Sequence, residues 1–357
     1  MRHGLRIRSL WLIVKYLLAI QLRFQRMRNR PFFNPIIHRT VKLSLLGLVC
    51  LLVLMGCCHS NSCLLEPNLT YEPPLTLVDS LPSPFKPLSV DEVKSDWGKE
   101  LLIAQTFVRE MDLYRAVTGF KRALILAPLD KVDRRLQMEY GILYSYYLGR
   151  KYPEVVQTFE TSALTNVGGD FPAFKDLLII LYDSYQEDGQ SLKAERLFPL
   201  IEKCEALKAT HLRLYEMLIA GNIEGIEENE DAACFTSDEL IDFIGEYRCE
   251  AKSVRKAQGL NAIIPGAGYY YVGLHKAAMT SFLINTLFTA AAYQLFERGD
   301  IAAGLIVASL ETGWYIGGIN GAGLAAKEYN QSLYESKARD FLVKQGLFPV
   351  LMLEKSF

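Results

Sequence analysis

The sequence predicts an all-α fold: a helical-repeat solenoid, then a hydrophobic helical hairpin, then a C-terminal amphipathic helix. Three observations carry that expectation. From Trp97 onward small and aromatic residues recur at helical spacings, and whole sets of them return every 39 residues. Two long apolar runs, Ala277–Phe296 and Ile301–Ala326, are parted only by Glu297–Asp300. Beyond them, 327–346 is charged and helical in pattern, with Leu333, Phe341 and Leu342 available for one apolar face.

The segments in chain order are a basic leader (1–56), a tether (57–96), helical repeats (97–230), an amphipathic connecting helix (231–258), an apolar hairpin with its entry motif (259–326), and a final helix with tail (327–357). Residues 1–42 hold ten Lys/Arg, and no acid occurs before Glu66. The whole chain balances at −1, so the part after Lys42 carries −11. An acidic body argues against nucleic acid as a partner.

The run LSLLGLVCLLVLMG, residues 43–56, has the length of a signal-peptide core and is short for a spanning helix. Gly56 then precedes Cys57. This resembles the lipobox of bacterial lipoproteins, which implies cleavage before Cys57, lipidation of its thiol and export; Met55 is an uncommon occupant of its place. Met27 offers a second start with a more ordinary basic region. The address implied is the bacterial cell envelope, with a periplasmic soluble part and either membrane as its support. Six of the fourteen prolines fall between residues 64 and 96, which predicts an extended linker without a core.

The repeat units align Phe107, Ala116, Phe120 and Ala123 with Tyr146, Val155, Phe159 and Ser162, and with Tyr185, Ala194, Phe198 and Ile201. Small residues at these places let antiparallel helices approach closely. The pattern resembles the tetratricopeptide repeat (TPR) over about residues 97–205, with a weaker unit near 206–226, and Gly149 and Gly189 stand near the expected turns. The family period of about 34 implies roughly five extra residues per unit here. The resemblance implies a groove for a partner's helix or extended segment. Tyr146, Tyr182 and Tyr185 are the candidates to line it, with core packing as their other role.

The hairpin is entered by Pro265-Gly266-x-Gly268-x-x-Tyr271-x-Gly273, which resembles the opening of small two-helix membrane modules in many bacteria. It is no dinucleotide fingerprint, because Tyr271 stands where the third glycine belongs. Both runs reach the roughly 20 residues that cross a bilayer. Gly313, Gly317 and Gly321 form a ladder suited to close helix packing, and Tyr269–Tyr271, Trp314 and Tyr315 suit an aromatic belt. Glu311 and Asn285 are polar residues within the runs, where an acid marks function by default. Lys252, Arg255, Lys256, His275, Lys276 and Lys327 flank the hairpin, so the positive-inside tendency puts both its ends in the cytoplasm, against the export that Cys57 implies.

Beyond residue 56 there are three distant histidines, His59, His211 and His275, and no zinc, nucleophile-elbow or Walker motif. The expectation is a non-enzymatic protein with no metal or cofactor, whose partners are proteins in the groove and membrane lipid. A membrane subunit of a transport complex is the alternative. Cys234 and Cys249 are a candidate disulfide, with free thiols the other reading.

Overall fold

The computed structural model describes residues 65–74, 76–228 and 238–357; Cys57, the leader and Cys234 lie outside the described residues. Among the described residues every regular element is helical. They form two compact units, residues 65–249 with 333–357, and residues 250–332.

The larger unit is built of successive helix pairs. They are α1 (Asp96–Arg109) with α2 (Leu113–Leu126), α3 (Val132–Leu148) with α4 (Tyr152–Thr161), α5 (Phe174–Glu187) with α6 (Ser191–Cys204), and α7 (Ala206–Ile219) with the short α8 (Ile223–Glu228). Each helix packs on the next in sequence. The four pairs share one turn. Its middle residue is left-handed: Met111, Arg150, Gly189 and Gly221 have φ of 56°, 55°, 73° and 64°. The next residue's N–H reaches back five places, Asp112 to the Phe107 carbonyl, Lys151 to Tyr146, Gln190 to Tyr185 and Asn222 to Met217, at 2.8–3.1 Å. This is the hydrogen-bonded helix end that favours glycine at its left-handed place. Gly149 is therefore not the turn glycine of its pair; it caps α3 one residue earlier at φ −79°, and Arg150 takes the strained place.

The 39-residue repeat has its physical cause at the start of each second helix. Ala116, Val155 and Ala194 follow the turn at equal distance, and all three are fully buried. Phe120 is fully buried too, its ring against the bare Cα of Gly141 on α3, where a Cβ would stand 2.6 Å from the ring. Burying such a ring stabilises by about 1.5–3 kcal/mol. Leu101, Ala104, Leu143, Ile180, Leu212 and Leu218 complete the core between pairs.

The proline-rich segment differs from its expectation. Within 65–74 and 76–87, several side chains are packed rather than free-standing. Val78 is buried on a short helix, Thr76–Ser80, and Phe85 rests against Tyr140 and Phe171. Arg134 binds the Lys86 and Pro87 carbonyls and Glu92, while Glu92 and Ser89 form a capping box. Proline denies the segment ladder hydrogen bonds, but side chains and the Arg134 guanidinium replace them.

The connecting helix also differs: α9 (Asp238–Glu250) and α10 (Val254–Ile263) are separate. Ser253 caps α10 by accepting from Lys256 N–H, and Asn330 binds both the N–H and the carbonyl of Lys252. The expected break after Ala326 is absent. After α11 (Ala267–Val272) and α12 (His275–Glu297), the last helix, α13, runs unbroken from Ile301 to Lys344. Its later part belongs to the larger unit, where Tyr334, Ala338 and Leu342 are buried and the Tyr334 hydroxyl donates to the Leu218 carbonyl.

Candidate functional site

One face of the helix pairs holds residues 353–357, which form no regular element. Asp176, near the start of α5, is buried, and its carboxylate accepts the N–H of Glu354 (3.1 Å) and of Lys355 (2.6 Å). Burial raises the Asp176 pKa; the two N–H groups and Lys208 work the other way. On the other side, Ser356 N–H and Oγ donate to the carbonyls of Pro82 and Leu81. The Phe357 ring, 3% exposed, packs on Phe120 and Tyr144 with the Arg109 guanidinium 5.9 Å from its centroid. Tyr140 and Tyr144 are buried beside it, and neither hydroxyl has a partner. Burial raises both pKa values, so both stay neutral donors.

A second buried acid, Asp183, lies seven residues along α5. Burial pushes it up to about 7, against the hydrogen bond it accepts from the Tyr147 hydroxyl at 2.7 Å. It borders a cleft of about 220 Å³ with Arg150, Tyr152, Glu187, Tyr215 and Phe348.

Tyr146, Tyr182 and Tyr185 do not line this face. Lys121 lies over the Tyr146 ring and binds its hydroxyl, Tyr182 donates to Glu216 and packs on Phe198, and Lys193 covers Tyr185. Tyr146 and Tyr185 are seams between helices, while Tyr182 also borders a cleft with Glu187, Tyr215 and Pro349. The residues that hold the tail, Asp176 above all, were missed by the repeat alignment. The available signal was two aspartates seven apart in the largely apolar run FKDLLIILYDSY, which places both on one helix face.

In the smaller unit every residue of the entry motif has a task. Gly266 is left-handed before α11 and Gly273 left-handed after it. A Cβ at Gly268 would overlap the Ala257 carbonyl and stand 2.7 Å from the Ala322 Cβ, so this glycine lets α10, α11 and α13 meet. Tyr271 accepts Ser253 N–H through its hydroxyl, and Pro265 precedes the turn. Asn261 closes the turn by accepting Gly266 N–H.

The glycine ladder is corrected. Gly313 and Gly317 have open space where a Cβ would stand; Gly321 meets the Tyr269 hydroxyl. The close approach between α12 and α13 comes at Gly304, under the Phe296 ring, while Gly318 lies against the Asn261 side chain of α10. These glycines lie off the i, i+4 register of the ladder. Ser281 and Asn285 are buried along the same seam. Asn285 donates to the Ser281 carbonyl, and its Oδ1 has no partner. Glu311 shares a hydrogen bond with Thr289 and keeps a buried, unpartnered Oε2. The buried residues of α12 are thus Ala278, Ser281, Asn285 and Ala292, while Leu287, Ile306 and Leu310 are 68%, 63% and 61% exposed. Of the expected belt, Tyr270 and Trp314 are exposed; Tyr269, Tyr271 and Tyr315 turn inward, the last donating to the Ala262 carbonyl.

Among the described residues one helix, the one beginning at Ile301, is long and apolar enough to cross a membrane. The expectation gave two; α12 is diluted by Thr280, Ser281, Asn285, Thr286, Thr289 and Gln294. Cys204 and Cys249 are exposed free thiols.

Compared with known proteins, the chain matches no family model, no curated protein and no solved structure.

Proposed function

We propose that this chain is a non-enzymatic, TPR-like scaffold of the bacterial cell envelope, whose helix pairs hold an extended segment of a protein partner. The observation that carries the reading is the Asp176 carboxylate taking the N–H groups of both Glu354 and Lys355 from a non-helical segment of the chain itself. Main-chain recognition of this kind holds a peptide by its backbone and leaves selectivity to side-chain pockets. Such a groove needs neither cofactor nor metal.

In the same proposal the chain is attached to its membrane by lipid on Cys57 and by the apolar hairpin. Supporting the hairpin's part is its inverted polarity: small and polar residues inside, large aliphatic ones outside. Water drives apolar groups inward, whereas lipid leaves small residues and interhelical hydrogen bonds to hold helices together. A soluble part on the periplasmic side follows from the lipobox, and lipid insertion of an uncrossed or re-entrant hairpin reconciles it with the cationic flanks.

The test is affinity purification of tagged protein from membranes in mild detergent. A stoichiometric protein partner, lost on Asp176→Ala with helix content unchanged, supports the scaffold; a partner indifferent to Asp176 refutes it. The second reading, a membrane subunit of a transport complex, is favoured by the unpartnered Asn285 Oδ1 and Glu311 Oε2 in the hairpin seam. It requires Glu311→Gln to abolish transport with assembly intact.

A further inference from the structure

We propose that the cleft around Asp183 binds a small organic cation with a primary ammonium group, held by the Asp183 and Glu187 carboxylates against the rings that wall the cleft. The site is separate from the residues that hold the tail, and the inference does not depend on the scaffold reading.

Asp183 and Glu187 stand four residues apart on α5, so their side chains leave one face of the helix a single turn apart. Asp183 is 7% exposed. Its Oδ2 accepts from the Tyr147 hydroxyl at 2.7 Å, and its Oδ1 accepts from no group among the described residues. Glu187 is exposed, and among the described residues no cation pairs with it. Asp183, Glu187 and Tyr215 border both the cleft of about 220 Å³ and a second one of about 500 Å³, which gives room for a small molecule beside the free carboxylate oxygens.

The walls match the same charge. Tyr147 meets Tyr152 edge-on at 6.2 Å, Tyr215 meets Phe348 edge-on at 5.8 Å, and Tyr71 stacks on Phe348 at 4.9 Å. Ring faces are negative and attract a cation placed over them. The one cation in the wall, Arg150, is exposed and engaged by the Tyr152 hydroxyl. Glu216, in the second cleft, is already paired with Arg213. Burial holds Asp183 up at about 7 in spite of Tyr147 and Arg150, so the carboxylate lacks the positive charge that an ammonium group supplies. A bare divalent ion needs six or more oxygens around it, and the described residues offer no such cluster.

The probe is n-butylammonium, titrated calorimetrically into the full chain in mild detergent, with 1-butanol and butyrate as neutral and anionic controls of similar shape. The ammonium ion is expected to bind at least about tenfold tighter than either control. Asp183→Asn keeps an acceptor for Tyr147 and removes the charge, and is expected to weaken binding about tenfold. Tyr152→Leu removes a ring face and is expected to weaken it about threefold. Binding at pH 7 is expected to release about half a proton, because Asp183 is half protonated beforehand; heats measured in buffers of different ionisation enthalpy read this. Preference for butyrate overturns the proposal, since Arg150 is then the receptor. So do equal binding of butanol, no binding of the ammonium ion, and an affinity unmoved by Asp183→Asn in a chain of unchanged helix content. If Asp183→Asn does not fold, Glu187→Gln at its exposed position decides: a loss of about threefold supports the site, and unchanged affinity overturns it.

Discussion

Gly189→Ala isolates the turn that defines the repeat. Gly189 has φ of 73°, and a Cβ there would meet nothing within 4 Å. The substitution therefore adds no clash and removes no packing, and only the backbone conformation is tested. An L-residue in the left-handed region costs about 1–2 kcal/mol. The lower entropy of the unfolded chain returns about 0.4–1 kcal/mol. A net loss of about 1 kcal/mol follows, or a melting point lower by roughly 2–4 °C in a unit of this size. Urea denaturation followed by far-ultraviolet circular dichroism reads it, with an unchanged slope as the sign that stability alone moved. Gly168 is the control: its surroundings are equally empty and its φ is not in the left-handed region, so Gly168→Ala is expected to be neutral or mildly stabilising. Equal behaviour of the two variants refutes the reasoning.

Four further outcomes are expected. Asp183 titrates near 7 when folded and near 4 when unfolded, so the folded chain holds the extra proton between those values, and stability falls as pH rises through that window. Asp183→Asn, which keeps an acceptor for Tyr147, is expected to flatten that fall in melts between pH 4 and 8, by on the order of a few kcal/mol at the upper end; an unchanged pH profile contradicts it. Arg134→Ala leaves the Lys86 and Pro87 carbonyls without their donor and Glu92 without its guanidinium partner, and is expected to cost about 2–3 kcal/mol and to open residues 81–92 to limited proteolysis. Gly268→Ala forces α11 off α10 and α13 and is expected to expose 250–332 to hydrogen exchange while α1–α6 keep their protection. Cys57→Ser is expected to abolish labelling by radioactive fatty acid while the hairpin still resists carbonate extraction; retained label, or complete release of the variant, contradicts the respective attachment.

What the sequence made legible is what repeats or what packs tightly. Ala116, Val155 and Ala194 are detectable because each of the first three pairs buries an aliphatic residue five places after its turn, and Gly266, Gly268 and Gly273 because each meets a backbone demand that glycine meets best. The turns themselves were half visible. Gly189 announces its left-handed φ, but Met111 and Arg150 adopt the same conformation without glycine, since the surrounding hydrogen bonds outweigh the local strain. The tail-holding site was not legible at all. Asp176 meets Glu354 and Lys355 across 178 or more residues, and no local pattern encodes a pairing of that range. The packing of the proline-rich segment was missed for the same reason: its partners, Tyr140, Phe171 and Arg134, all come from much later in the chain. The ladder of Gly313 and Gly317 is a regular spacing without a neighbour; the glycines in contact, Gly304 and Gly318, meet Phe296 and Asn261 from two different helices.

Backbone amide exchange at Glu354 and Lys355 tests the central claim most directly, because those two N–H groups are what the Asp176 carboxylate holds. The account predicts protection in the unaltered chain well above that of a free peptide, lost on Asp176→Ala while the amides of α5 stay protected. Exchange of residues 354–355 at the free-peptide rate in the unaltered chain contradicts it.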